Sequence, residues 1–108
     1  MMAPGTLWTA AHHKIPMLTL MHNNRAYHME IMQLQRMANQ HNRGIETCGI
    51  GTTITDPNID YAQMARSMGV EAEGPISDPA ALAPAIKRGI AAVKRGNPYL
   101  IDVITQPR

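Results

Sequence analysis

The run Pro16-Met17-Leu18-Thr19-Leu20-Met21 is apolar almost without a break. A strand with one wet face alternates apolar and polar side chains. A near-continuous run suits a parallel strand covered on both faces. A second run, Leu100, Ile101, Val103 and Ile104, lies near the other end of the chain. Between them, apolar residues recur with helical spacing. The order reads α-β-α-(loop)-α-β-α-β, so the strands pair in parallel through right-handed crossovers. The expected fold class is therefore α/β in three layers, a mostly parallel sheet flanked by helices. The 108 residues leave room for one domain, residues 1–108.

Residues 6–13 read as a helix capped by Thr6, with Leu7, Ala10 and Ala11 on one side. Residues 14–22 hold the first strand. Residues 27–40 form a helix whose stripe is Ile31, Leu34 and Ala38. Residues 42–57 are irregular, with Gly44, Gly49 and Gly51. An irregular stretch this long in a small domain is functional or mobile. Asn58 caps a helix over 59–68 that stops at Gly69, with Ile59, Ala62, Ala65 and Met68 buried. Residues 70–73 form a short strand. Asp78 followed by Pro79 opens a helix that runs to Arg95 and stops at Gly96. Its expected core face is Leu82, Ile86, Ile90 and Val93, and Pro84 is expected to bend its second turn. Residues 98–105 form the last strand.

The composition narrows the function classes. Ten Lys and Arg against eight Asp and Glu give a net charge of +2. The basic residues are scattered, and the Lys87-Arg88 and Lys94-Arg95 pairs share a helix face, so nucleic acid is not expected as a partner. Nine methionines fill irregular gaps in a core. One cysteine, Cys48, excludes an internal disulfide and fits a small buried apolar role in a reducing compartment. The five histidines show no zinc-ligand spacing. No apolar run approaches a membrane span, and no signal peptide opens the chain; the expected location is cytoplasmic.

The chemistry concentrates in Met21-His22-Asn23-Asn24-Arg25-Ala26-Tyr27. An Asn pair at the end of a parallel strand stands where such sheets bind ligands, beyond the strands' carboxyl ends. Its oxygens suit a hard cation such as Mg²⁺. They equally suit an ordinary Asx turn.

Leu7-Trp8-Thr9-Ala10-Ala11, Ile15-Pro16 and Asn23-Asn24-x-Ala26-Tyr27 together resemble the second half of the thiamine diphosphate signature. That signature opens with Gly-Asp-Gly and closes with Asn-Asn. The similarity is to the acetolactate synthase, benzoylformate decarboxylase and pyruvate decarboxylase group. It extends through Asn58-Ile59-Asp60-Tyr61-Ala62, Ser67-Met68-Gly69 and Pro98-Tyr99-Leu100-Ile101-Asp102-Val103, nearly the whole chain. No Gly-Asp-Gly is present. In the family's spacing it falls just upstream of Met1, so the expectation is the C-terminal part of a thiamine diphosphate-binding domain.

The resemblance implies cofactors thiamine diphosphate and Mg²⁺, with Asn24 giving its side-chain oxygen and Ala26 its carbonyl to the metal. It implies cofactor contacts from Tyr27 and Met29, although Tyr27 equally serves to anchor the helix start. Glu30 matches an acidic residue used in proton transfer; the alternative is a solvent-facing helix glutamate. Asn23 is expected to tie the loop internally. The implied activity is that of a 2-keto acid decarboxylase or carboligase, a lyase or transferase. The implied partners are the 2-keto acid, upstream domains and a second subunit of a homo-oligomer, with no nucleic acid and no membrane. By itself the chain is expected to hold the cofactor weakly and turn over no substrate. The other class left open is a non-catalytic α/β module whose exposed sheet edge associates with other proteins.

Overall fold

A computed structural model describes residues 3–106. Its elements are α1 (Gly5–His12), β1 (Leu18–Asn23), α2 (His28–Gln40), α3 (Tyr61–Ser67), β2 (Glu71–Ile76), α4 (Pro79–Lys94) and β3 (Tyr99–Ile104). The three strands form one sheet in the order β1-β3-β2, with both pairings parallel. The order and fold class are those the sequence predicts.

The chain divides into two compact units. One comprises the chain up to Asn23 together with Asp60–Thr105, and carries the sheet, α1, α3 and α4. The other is Asn24–Ile59, which carries α2 and the irregular stretch.

In the sheet unit, side chains alternate along β3, and the central strand is covered on both faces. Tyr99 and Ile101 pack with Ile76 of β2 and with Ala85 and Ala92 of α4. Leu100 and Asp102 face the other way, where Asp102 accepts a bond from the Tyr61 amide that opens α3. Four consecutive β3 residues, Tyr99 to Asp102, are buried. Val103 and Ile104, expected in the core, are half-buried.

The core face of α4 differs from the expected one. Ala85, Gly89 and Ala92 are buried; Leu82, Ile86 and Val93 are half-buried, and Ile90 is 43% exposed. The reason is distance. A Cβ at Gly89 would lie 2.6 Å from Leu18 Cδ1 and 3.1 Å from the Tyr99 ring. Small residues at i, i+4 and i+7 let the helix approach the sheet closely, and the larger residues flank that seam. The helix runs unbroken through Pro84.

Helix starts follow specific bonds. Asp78 accepts from the Ala80 amide at 2.9 Å, as its position before Pro79 predicts. Thr6 is no cap: α1 starts at Gly5, and the Thr6 hydroxyl bonds the Ala3 carbonyl. The cap of α3 is Asp60, not Asn58; its carboxylate accepts from the Gln63 amide at 2.7 Å. The Asp102 carboxylate holds the Tyr61 amide, which sets the helix start two residues later than expected. The stripe on α3 is Tyr61, Ala62 and Ala65, while Met68 and Ile59 are only half-buried.

Strand β2 runs to Ile76, three residues past its expected end at 73, with a register shift between Glu73 and Ile76. Gly74 sits in that shift at φ +122°, and a Cβ there would lie 2.5 Å from the Asp102 carbonyl oxygen. Across the sheet, Glu73 is bonded by Arg88 of α4, whose Nε lies 2.9 Å from Oε2, and by the Tyr99 hydroxyl at 3.2 Å. The Arg88 guanidinium holds the Glu73 carboxyl below its ordinary pKa. Burial, and then the bond to Glu73, push the Tyr99 phenol up.

In the other unit no residue of α2 is buried. Ile31 and Ala38 of its expected stripe are half-buried, while Leu34, Met29, Met32 and Met37 are exposed. The unit's buried residues are Cys48 and Thr52 of the irregular stretch, joined by a bond from the Thr52 hydroxyl to the Cys48 carbonyl at 2.8 Å.

Two outcomes follow for the sheet unit. Gly74→Ala lowers stability by about 2–3 kcal/mol in chemical denaturation, because the added methyl meets backbone that has nowhere to go. A loss under about 0.5 kcal/mol contradicts that close approach. For Glu73 the folded pKa lies below the unfolded one, so its stabilisation is present above the unfolded value. It is lost as pH falls through the folded value. Glu73→Gln therefore flattens the acid side of the melting-temperature profile. An unchanged acid limb contradicts the ion pair's role.

Candidate functional site

Strand β1 ends at the carboxyl edge of the sheet, where open parallel sheets bind ligands. Its last residue, Asn23, is 5% exposed. The Asn23 amide donates to Asp102 Oδ1 at 3.0 Å, and its carbonyl accepts from the Thr105 amide at 3.0 Å. Asn23 thus ties β1 to β3, where a tie within the loop was expected.

The next residues form a turn. Asn24 Oδ1 accepts from the Ala26 amide at 3.1 Å, an Asx turn. Between them Arg25 has φ +56°, in the left-handed region that costs a non-glycine residue about 1–2 kcal/mol. The turn is held from the irregular stretch. Ile54 donates to the Arg25 carbonyl and Tyr27 donates to the Thr52 carbonyl, each at 2.7 Å. These bonds flank an antiparallel bridge between Ala26 and Thr53. The Thr52-Thr53 pair marked this stretch in the sequence, but a Thr pair in a glycine-rich loop carries no pairing signal.

The bonding leaves two oxygens available. The Asx bond uses one of the two lone pairs of Asn24 Oδ1. The Ala26 carbonyl accepts no hydrogen bond among the described residues, because helix bonding starts one residue later, from Ile31 to the Tyr27 carbonyl at 3.1 Å. The Asx turn therefore leaves one lone pair of Asn24 Oδ1 and the Ala26 carbonyl oxygen unbonded among the described residues. Both oxygens are neutral, and a hard cation accepts such ligands when anionic oxygens complete the shell.

Tyr27 stands at the N-cap of α2 and is half-buried. No side chain caps the helix, so its first amides keep their capacity to bind an anion. Met29 is 64% exposed. Glu30 is exposed in the first turn and makes no ion pair or hydrogen bond among the described residues, with Arg36 or otherwise. Asn24, Ala26, Tyr27, Met29 and Glu30 are thus adjacent along one turn and one helix start. Among the described residues no three His, Cys, Asp or Glu converge as metal ligands, and no helix is long and apolar enough to cross a membrane.

Sequence reasoning quoted Asp102 only as part of a strand pattern. It is fully buried and holds Asn23 and Tyr61. Its signal was legible: a lone charge inside the apolar run Leu100-Ile101-Asp102-Val103-Ile104.

A parallel three-stranded sheet with helices on both faces defines an α/β protein of the class that binds ligands beyond its strands' carboxyl ends. The family model described as thiamine pyrophosphate enzyme, C-terminal TPP binding domain, matches residues 1–103. The chain belongs to that family, whose members depend on thiamine diphosphate. No curated protein and no solved structure matches it.

Proposed function

We propose that this chain supplies the Asn-Asn half of a Mg²⁺–diphosphate site to an enzyme that cleaves or joins 2-keto acids, in the manner of acetolactate synthase and its decarboxylase relatives. The observation that carries the reading is the Asn24–Ala26 turn. It offers a side-chain oxygen and, two residues on, a carbonyl with no hydrogen bond among the described residues, directly after the last residue of β1.

The residues present fit the group. Mg²⁺ takes six oxygens, usually from one or two protein carboxylates, substrate phosphates and water. Asn24 Oδ1 and the Ala26 carbonyl would hold the ion without neutralising it. Anionic charge would come from the diphosphate and from an acidic ligand outside the turn, since the sequence contains no Gly-Asp-Gly. The uncapped first turn of α2 adds amides suited to a phosphate oxygen. Bound thiamine diphosphate supplies the nucleophilic carbon and the electron sink for breaking the bond next to a keto group.

The chain's own residues then divide the remaining work. Tyr27, half-buried at the head of α2, packs beside the diphosphate tail. Met29 gives the substrate an apolar contact. Glu30 exchanges a proton with it. That last role needs a second surface over the first turn of α2, because an exposed carboxylate lacks the desolvation that makes a general acid near neutral pH. A neighbouring subunit of the oligomer is the proposed source.

Removing the Asn24 oxygen removes half of the turn's share of the metal shell. Asn24→Ala weakens binding of thiamine diphosphate with Mg²⁺ by about tenfold or more in calorimetric titration, with the fold intact by circular dichroism. Undiminished affinity in the folded variant contradicts the assignment.

A further inference from the structure

Ala26 and Thr53 form an antiparallel bridge inside the Asn24–Ile59 unit. The bonds that frame it run between the flanking residues. Ile54 donates to the Arg25 carbonyl and Tyr27 donates to the Thr52 carbonyl. This is the non-hydrogen-bonded kind of antiparallel pair, in which the two facing residues direct their own amides and carbonyls away from each other. The Ala26 amide obeys the pattern, since its acceptor is Asn24 Oδ1 and not the opposite segment. The Ala26 carbonyl takes the same direction. The pairing therefore sets Asn24 Oδ1 and the Ala26 carbonyl on the side away from residues 52–54. A slip of one residue would reverse this, because Ala26 would then bond the opposite segment and its carbonyl would be consumed.

We propose that Thr52 is the positioning residue of the Asn24–Ala26 turn: it fixes the register of this pairing and so aims the two oxygens. The inference rests on the metal role proposed for the turn above. Thr52 is buried, while its neighbour Thr53 is exposed. The Thr52 hydroxyl donates to the Cys48 carbonyl at 2.8 Å, and its amide donates to the Gly49 carbonyl at 3.3 Å. Its own carbonyl takes the Tyr27 amide at 2.7 Å. The residue is thus bonded to the loop on one side and to the turn on the other. Metal ligands serve only when they stand within about half an ångström of the required places.

Three substitutions separate the parts. Thr52→Val keeps the shape and removes the hydroxyl, so the Cys48 carbonyl loses that donor. Thr52→Ser keeps the hydroxyl and with it the bond. Ile54→Pro removes the amide that holds the Arg25 carbonyl and leaves Thr52 unchanged.

The experiment measures amide hydrogen exchange at residues 24–27 and 52–54 of the ¹⁵N-labelled full chain by NMR, with a thermal melt of each variant; this arm uses no ligand. Thr52→Val is expected to speed exchange at Tyr27 and Ile54 by about tenfold, the loss of one hydrogen bond in a locally opening segment. Thr52→Ser is expected to stay within about twofold of the unsubstituted chain. Ile54→Pro is expected to speed exchange at Tyr27 by about tenfold, and it carries the test if Thr52→Val does not fold. A second arm adds Mn²⁺, a paramagnetic stand-in for Mg²⁺, with an excess of thiamine diphosphate. It compares the broadening of the Asn24 and Ala26 signals among variants under identical conditions, so weak binding suffices. Thr52→Val and Ile54→Pro are expected to reduce that broadening about threefold or more, and Thr52→Ser to keep it.

A folded Thr52→Val, or a folded Ile54→Pro, whose Tyr27 amide is as protected as before overturns the positioning role and leaves the metal assignment standing. Equal loss of protection in Thr52→Val and Thr52→Ser overturns it too, because the hydroxyl is then not the cause. So does faster exchange with undiminished broadening at Asn24 and Ala26. Broadening centred away from residues 24–26 in the unsubstituted chain overturns the metal assignment instead, and the exchange arm by itself then decides whether Thr52 holds the turn.

Discussion

A single carboxylate without access to water ties together the ends of three elements. Asp102 belongs to β3, bonds the last residue of β1 and bonds the first amide of α3. Each such charge-assisted bond is worth about 1.5–3 kcal/mol, and leaving the carboxylate unpaired costs more than either bond contributes. The arrangement also dictates its neighbours. Only glycine fits at position 74, against the Asp102 carbonyl, and only a donor fits at position 23. The other face of the same strand obeys a different rule. There Ile101 and Tyr99 are purely a packing surface, and α4 meets them with its smallest residues.

The turn after β1 takes its shape from local bonds. An Asx bond, a left-handed Arg25 and two bonds from the irregular stretch over-determine three residues. Backbone strain held this firmly is a frequent property of binding sites, where geometry set in advance lowers the cost of taking up a ligand. The glycine-rich region is thus more than a connection. Residues 52 and 54 hold the turn, while Cys48 and Thr52 are the buried residues of their unit. By contrast the outward face of α2, with Met29, Met32 and Met37, has no cover among the described residues.

Much of this was legible in the chain. The continuous apolar runs announced parallel strands, although β1 lies at the sheet's edge with Leu20 53% exposed rather than covered on both faces, and Asp78-Pro79 announced the start of α4. The Asn-Asn pair after the first strand announced a turn, and an Asx bond closes it. What escaped depends on distance between elements, which a pattern along one element does not carry. Hydrophobicity alone selects Leu82, Ile86, Ile90 and Val93 as the core of α4, but close approach to the sheet selects Ala85, Gly89 and Ala92. Asn58 is a good cap by type, yet α3 starts at Tyr61 because a carboxylate 41 residues away holds that amide. The importance of Asp102 is likewise set by its partners, Asn23 and Tyr61, and neither is near it in sequence.

The proposed metal position is open to direct observation with Mn²⁺ in place of Mg²⁺. The ion's unpaired electrons broaden NMR signals with a very steep dependence on distance. In the presence of thiamine diphosphate, sub-stoichiometric Mn²⁺ is expected to erase the amide signals of Asn24, Arg25 and Ala26 before any others. Sharp signals there, with broadening centred on the exposed His12 and His13 at the end of α1 or on surface carboxylates instead, would place the ion elsewhere and refute a metal held by the Asn-Asn turn.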